Sequence, residues 1–398
     1  MSPAERRATV SLAAIFALRM FGMFIILPVF ALYADSLAGG HNKILVGIAV
    51  GAYGITQALL QIPFGILSDR WGRKPALYMG LLIFSLGSFI AAAADSVYVV
   101  ILGRIVQGAG AVSAVVTALL ADLTREEQRT KAMAVVGMTI GLTFALSMVM
   151  GPVLDRWIGV PGIFLLTGFL ALGAWAVVRF LVPEVPHTPQ PATLQRTSFF
   201  NVLMRPELAR LNYGIFVLHL VLTALFVVTP FRLIEAGLPS AHHWQIYLPV
   251  MLGAFVLMVP PMIWGERLQR QKAVFCGSIL VLILGQLALF EAAPTVWWST
   301  LALLLFFTAF NLLEASLPSL ISRLAPADAK GAAMGVYSSV QFLGTFLGGV
   351  IGGVIAQHQG GNAVYLFCAA LSASWLVVAF GMRMPQRPNP HNLISAET

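Results

Sequence analysis

The sequence predicts an all-α membrane protein: twelve transmembrane helices in two six-helix bundles, with both termini on the cytoplasmic side. Three observations lead there. Of the 398 residues, 59% are hydrophobic and only 10% charged, whereas a soluble domain carries about a quarter charged residues. Apolar runs of about 20 residues, the length that crosses a bilayer, recur along nearly the whole chain. The second half also echoes the first.

The chain opens with Glu5-Arg6-Arg7 leading directly into an apolar run, which reads as a first span that is retained rather than a cleaved signal peptide. Six spans are expected at 9–33, 43–67, 75–94, 97–121, 131–154 and 160–182. Six more follow at 209–231, 243–265, 273–291, 295–322, 331–357 and 361–384. Several exceed the minimum length and imply tilted or protruding helices. Between spans six and seven, residues 183–208 hold Pro183, Pro186, Pro189 and Pro191, the composition of a linker between halves. The expected organisation is an N-terminal bundle over 1–182, a cytoplasmic linker, a C-terminal bundle over 209–384 and a cytoplasmic tail over 385–398.

Charge sets the orientation. Of the 24 Lys and Arg, Lys43, Arg156 and Arg232 fall on one side and Arg19 and Arg104 within spans, leaving 19 on the other side. The positive-inside rule makes that side cytoplasmic. The formal charge of +8 is dispersed over short loops, so it is no nucleic-acid footprint. Cys276 and Cys368 sit inside apolar runs and read as packing residues, not a disulfide framework.

Self-similarity supports the two-bundle organisation. Gly265-Glu266-Arg267-Leu268-Gln269-Arg270 lies 197 residues after Ser68-Asp69-Arg70-Trp71-Gly72-Arg73 and keeps the acid-Arg-x-x-Arg order. Ala132-Met133 recurs as Ala333-Met334. Repeats of this kind place a site at the midplane between halves. The second copy lacks a glycine where the first has Gly72, which suggests that the two loops do different work.

The first of these loops, Gly65-Ile66-Leu67-Ser68-Asp69-Arg70-Trp71-Gly72-Arg73-Lys74-Pro75, is chemically specific. Asp69 stands near a helix C-terminus, where a carboxylate is disfavoured unless compensated. Gly65 and Gly72 permit close approach and reversal, and Pro75 suits a first helical turn. A plain basic loop would leave the Gly, Asp and Pro positions unexplained. Gly-x-x-x-Asp-Arg-x-Gly-Arg-Lys resembles the loop-2/3 signature of the major facilitator superfamily of secondary transporters. In that family span two packs beside span eleven. The resemblance thus implies a cytoplasmic gate in which Asp69 caps the helix starting near Gly331, with Arg70, Arg73 and Asp122 in the charge cluster. Such a cluster would stabilise the outward-facing state.

Ionisable groups deep in a span cost a few kcal/mol or more, so each is a functional candidate. Arg19 lies mid-way along span one and is expected to face the central cavity, or else to bond carbonyls of a neighbouring helix. Arg104, in Arg104-Ile105-Val106-Gln107-Gly108, resembles the superfamily's span-four motif, whose Arg is implicated in proton handling; tying span four to span one is the alternative. Glu314 is the sole acid well inside a span. Burial disfavours its charge and a nearby Arg would favour it, so a group balanced in this way can load and release a proton. Permanent pairing is the competing reading. His219 can relay a proton or simply pack, and Asp35, near the outer end of span one, is a weaker candidate or a solvated loop acid.

Tyr53, Gln57 and Gln61 form one helical stripe on span two, and Tyr337, Gln341 and Thr345 repeat the spacing on span eleven. With Asn311 they are the expected substrate-cavity lining, although interhelical hydrogen bonding explains the stripes nearly as well. Abundant Phe and Met suit an apolar or amphipathic substrate and also suit lipid contact. Gly151-Pro152 with Ser147 resembles a degraded antiporter motif of drug:proton exchangers, with Met138 at a position that favours glycine.

The expectation is a proton-coupled inner-membrane transporter that exports small apolar or amphipathic compounds by antiport and alternating access, acting as a monomer without cofactor or metal. The alternative is a proton symporter or facilitator importing a small metabolite. A receptor or scaffold would not need Glu314, and no nucleophile, metal or phosphate-loop constellation marks an enzyme.

Overall fold

A computed structural model describes residues 1–183, 205–291, 295–326 and 329–382. Most of the expected linker and all of the expected tail lie outside these residues. The described chain is helical throughout: α1 (Pro3–Phe24), α2 (Leu27–Ser36), α3 (Lys43–Trp71), α4 (Arg73–Ala92), α5 (Val97–Ala109), α6 (Ser113–Asp122) and α7 (Glu126–Phe180). The second half comprises α8 (Pro206–Glu235), a 3-10 turn (Ser240–His242), α9 (Trp244–Arg267), α10 (Gln271–Glu291), α11 (Val296–Leu324), α12 (Lys330–Gln359) and α13 (Gly361–Phe380). Among the described residues eleven helical segments are long and apolar enough to cross a membrane.

The expected twelve meet those eleven at α7. Its 55 residues would rise about 80 Å at 1.5 Å each, far beyond a hydrocarbon core of about 30 Å. The helix is broken at Gly159, whose φ of 67° and ψ of 170° are non-helical. Before the break, Phe144 packs on Phe24 and Gly151 lies against Ile25 and Pro28, so the chain runs parallel to α1. After it, Thr167 meets Gly22 and Phe164 meets Phe30, so the direction is reversed. The chain therefore doubles back at a glycine, and α7 holds two antiparallel helical stretches.

Two spans expected to be continuous are interrupted. Span one stops at Phe24 and resumes at Leu27, with Pro28 in the first turn of α2, because proline removes a backbone donor and clashes with the preceding turn. Span four stops at Ala109 and resumes at Ser113. There Gly110 approaches so closely that an added Cβ would lie 2.2 Å from the Gly80 carbonyl oxygen. The Gln57 amide donates to the carbonyls of Gly108 (2.9 Å) and Gly110 (3.4 Å), satisfying acceptors that the interruption frees.

The halves meet along α3 and α12. Small residues let the two backbones touch: a Cβ at Gly47 would sit 2.1 Å from the Gly349 carbonyl oxygen, and one at Gly353 would sit 2.5 Å from that of Lys43. Lys43 adds its backbone N–H to the Gln357 side chain (2.8 Å) and its ammonium over the Phe231 ring (4.1 Å). Toward the end of the molecule that carries the 65–75 loop, Gly331 and Gly335 have no heavy atom within 4 Å of an added Cβ. The helix pair is thus tight at one end and splayed at the other.

Candidate functional site

Two polar clusters lie within the spans, one in each half. In the first half, the break between α5 and α6 sets Ser113 at the start of a helix, where its hydroxyl accepts a hydrogen bond from the buried guanidinium of Arg19. A second Arg19 nitrogen donates to the Tyr53 hydroxyl at 2.6 Å. Arg104 donates to Gln107 Oε1 at 2.7 Å and lies over the Tyr53 ring, 5.1 Å from its centroid. One tyrosine therefore engages two cations, by its hydroxyl and by its π face. Neither guanidinium pairs with a carboxylate among the described residues.

This geometry corrects part of the expected cavity wall. Tyr53, Gln57 and Gln61 are all 1% exposed or less. In this conformation Tyr53 and Gln57 hold the first half together, because their polar atoms serve Arg19 and the interrupted backbone of span four.

The second cluster gathers Glu314 on α11, His219 on α8 and Gln341 on α12. Gln341 Nε2 reaches His219 Nε2 at 2.8 Å and Glu314 Oε1 at 3.4 Å. The amide donates, so His219 Nε2 accepts and the proton of the neutral ring sits on Nδ1. That atom faces Glu314 Oε2 at 3.8 Å. Glu314 keeps 31% of its side chain accessible while both carboxylate oxygens face its own bundle. His219 Nδ1, Glu314 Oε2, Tyr337 OH and Asn311 Nδ2 are buried without a hydrogen-bond partner among the described residues. A cluster with spare donors and acceptors can exchange protons or hold a polar group; a saturated one cannot.

Among the described residues no Arg pairs with Glu314, contrary to the expectation. Arg19 and Arg104 bind Ser113, Tyr53 and Gln107 of the first half, whereas Glu314 faces His219 and Gln341 of the second. Asp35 stands at the end of α2, ion-paired to Lys43 at 2.6 Å, away from the Glu314 cluster's own contacts. That pairing fits the loop-acid alternative for this position near the outer end of span one.

At the splayed end Arg73 joins two acids, pairing with Asp69 and donating to Asp122 Oδ2 at 2.8 Å. Gly72 forms the turn between α3 and α4 with φ 99° and ψ 156°, backbone essentially restricted to glycine. Arg70 lies in the last turn of α3. A Cβ at Gly65 would meet only Ala114, at 3.9 Å, while Gly331 stands clear on α12. Residues 65–122 of this cluster thus assemble within one half, with the start of α12 set apart. Phe342, which packs on Tyr53 at 6.0 Å, and the interruption at Gly110 escaped the sequence reading. The Gly108-x-Gly110 pair was the available signal for the latter.

The comparisons agree with this architecture. The model of the Major Facilitator Superfamily matches residues 12–270 and 239–398. The inner membrane transport protein YajR of Escherichia coli (strain K12) is 46% identical over 387 residues, covering 97% of this chain and 85% of YajR. The multidrug resistance protein MdtH of Proteus mirabilis is 27% identical over 337 residues, 79% of this chain and 78% of MdtH. Among solved structures, a bacterial homologue of the human lysosomal transporter Spinster superposes with a TM-score of 0.76 at 13% identity. It covers 96% of this chain and 97% of its own, and at that identity it speaks to the fold alone. A family model spanning both halves, a near-full-length relative and the two-bundle helical fold make this chain a member of the Major Facilitator Superfamily of transporters.

Proposed function

We propose that the chain is a proton-coupled transporter of the bacterial inner membrane that exports small apolar or amphipathic compounds by antiport and alternating access. The observation that carries this reading is the setting of Glu314. A carboxyl group inside a span faces a histidine and a primary amide, and among the described residues no guanidinium pairs with it to hold it permanently ionised. Such a group can load and release a proton as access alternates, and His219 is placed to pass it on. Arg19 and Arg104 then act as fixed charges of the other half.

The face bearing 19 of the 24 Lys and Arg is taken as cytoplasmic, with both termini on it. The splayed end is that same face, so the conformation is inward-facing. In the outward-facing state the Asp69–Arg73–Asp122 cluster would dock on the start of α12 near Gly331. Export rather than import is favoured by the likeness to a protein named for multidrug resistance and by Ser147 lying against α1 and Gly151 against Ile25 and Pro28 at the break that follows it. YajR's name supports the membrane assigned.

The test is reconstitution into proteoliposomes with an imposed pH gradient and ethidium or norfloxacin as probe. Probe efflux with counter-movement of protons, lost in Glu314→Gln, is the expected result. Co-entry of probe and proton would establish symport instead, and a flux indifferent to the gradient would overturn proton coupling.

A further inference from the structure

We propose that the edge-on contact between Tyr53 and Phe342 is the fulcrum of the α3–α12 pair, and that Phe342 is the positioning residue through which the Glu314 cluster acts on the opposite half. The inference rests on the proton-coupled reading above and adds the route by which a proton in one half moves the other.

The packing along the two helices changes character at this contact. On the tight side, an added Cβ at Gly54 would sit 2.5 Å from the Phe342 carbonyl oxygen and one at Gly51 would sit 2.6 Å from that of Phe346. Backbones in such contact cannot slide or separate without losing packing over several turns. On the other side, about two and three turns further toward the start of α12, Gly335 and Gly331 touch nothing within 4 Å. A helix held along one arm and free along the other pivots where the hold ends. That place is Phe342, 5% exposed, its ring set 72° to that of Tyr53 at 6.0 Å.

The fulcrum adjoins the titratable cluster covalently. Gln341, the neighbouring residue on α12, hydrogen-bonds both His219 and Glu314. Successive residues of a helix share one rigid backbone and point about 100° apart, so Gln341 faces its own half while Phe342 faces the other. A change in charge at Glu314 that re-sets the Gln341 amide therefore displaces Phe342 against Tyr53. Tyr53 cannot yield freely, because Arg19 holds its hydroxyl and Arg104 covers its ring. The titratable and charged groups around this path are few. His219 on α8 and Tyr337 on α12 face Glu314, and Arg19 on α1 and Arg104 on α5 face Tyr53. Helices α9 and α10, also packed on α11, bring no charged group to Glu314 among the described residues.

The experiment needs no transported substrate. The full chain, with Cys276 and Cys368 replaced by alanine, is placed in lipid nanodiscs and carries nitroxide labels at one of two inter-half pairs. Trp71 with Leu268 reports the splayed end, and His41 with Glu235 the tight end. Distances are read by electron–electron double resonance from about pH 8 to about pH 4, a window that takes in the ordinary imidazole and glutamate values of about 6.5 and 4.3. The expected result is a pH-dependent exchange between two distance populations in the parent, abolished in Glu314→Gln. In Phe342→Ala both populations persist but their ratio no longer follows pH. Phe342→Leu, which keeps most of the volume and loses the ring edge, shows a reduced pH amplitude and serves if the alanine variant fails to fold. A parent-like pH response in the folded Phe342 variants overturns the fulcrum and leaves proton coupling standing. A parent insensitive to pH overturns both.

Discussion

The two halves share a helix plan but handle intramembrane charge in opposite ways. The first encloses two guanidiniums with hydroxyl, amide and π-face partners, all on the same half. The second leaves one titratable carboxyl 31% accessible beside a histidine. Both clusters keep unpartnered buried atoms, Arg19 Nε and Arg104 Nε in the first and His219 Nδ1 and Glu314 Oε2 in the second, so the contrast lies in which charge can titrate. Permanent cations that are buried and held make a stiff reference body, whereas a titratable acid makes a variable one. Under the proposed proton coupling, this division is what would let a proton act on one half and not the other. The connecting loops differ in the same spirit. Gly72 adopts backbone open essentially to glycine, whereas its counterpart Gln269 has φ 54°, a left-handed conformation that other residues tolerate at modest cost.

The comparison breaks most visibly at Glu314. Glu314→Gln keeps size and hydrogen bonding but cannot titrate, so exchange driven by a pH gradient is expected to fall to background with the melting temperature nearly unchanged. Flux at the parent's rate would move proton coupling elsewhere. In the stiff half the effect is reversed. Tyr53→Phe leaves a buried Arg19 donor without its acceptor, which costs about 1–3 kcal/mol. It should lower the melting temperature while leaving the pH midpoint of transport in place, as paired thermal and flux measurements would show. A moved midpoint with unaltered stability would mean that the first half titrates as well.

Smaller effects sharpen the contrast between the loops. Gly72→Ala forces a side chain into glycine-only backbone, at roughly 1–3 kcal/mol, and should reduce both yield and transport. Gln269→Gly exchanges left-handed strain for extra freedom of the unfolded chain and should stay within about 1 kcal/mol of the parent. Asp69→Asn removes charge from the Arg73 pair without touching either intramembrane cluster. Membrane insertion is expected to be normal and transport weaker, with labelling at the splayed end shifted toward the open form. Normal transport by that variant would remove the loop from the gate.

Much of this was legible in the residues themselves. Hydrophobic length marked the spans, and Gly-x-x-x-Asp-Arg-x-Gly-Arg-Lys carried the family. The few ionisable residues inside apolar runs were conspicuous because lipid tolerates so few. Less legible were the interruptions at Phe24–Leu27 and Ala109–Ser113. An apolar run reads the same whether or not its backbone is continuous, and only the Gln57 amide reaching across to Gly108 and Gly110 makes the second break affordable.

By itself, then, the sequence determined that the chain lives in a membrane and which side chains are too costly to be there by accident. These properties follow from the solvation of each residue along the chain, and solvation is local. Tertiary structure alone decided the partners: that Arg19 and Arg104 share Tyr53, that Glu314 answers to His219 and Gln341, and that Asp35 belongs to Lys43 at the rim. Partnership depends on which faces of distant helices meet. Small residues such as Gly47, Gly51, Gly349 and Gly353 set that meeting through backbone contact, which hydropathy and periodicity do not record.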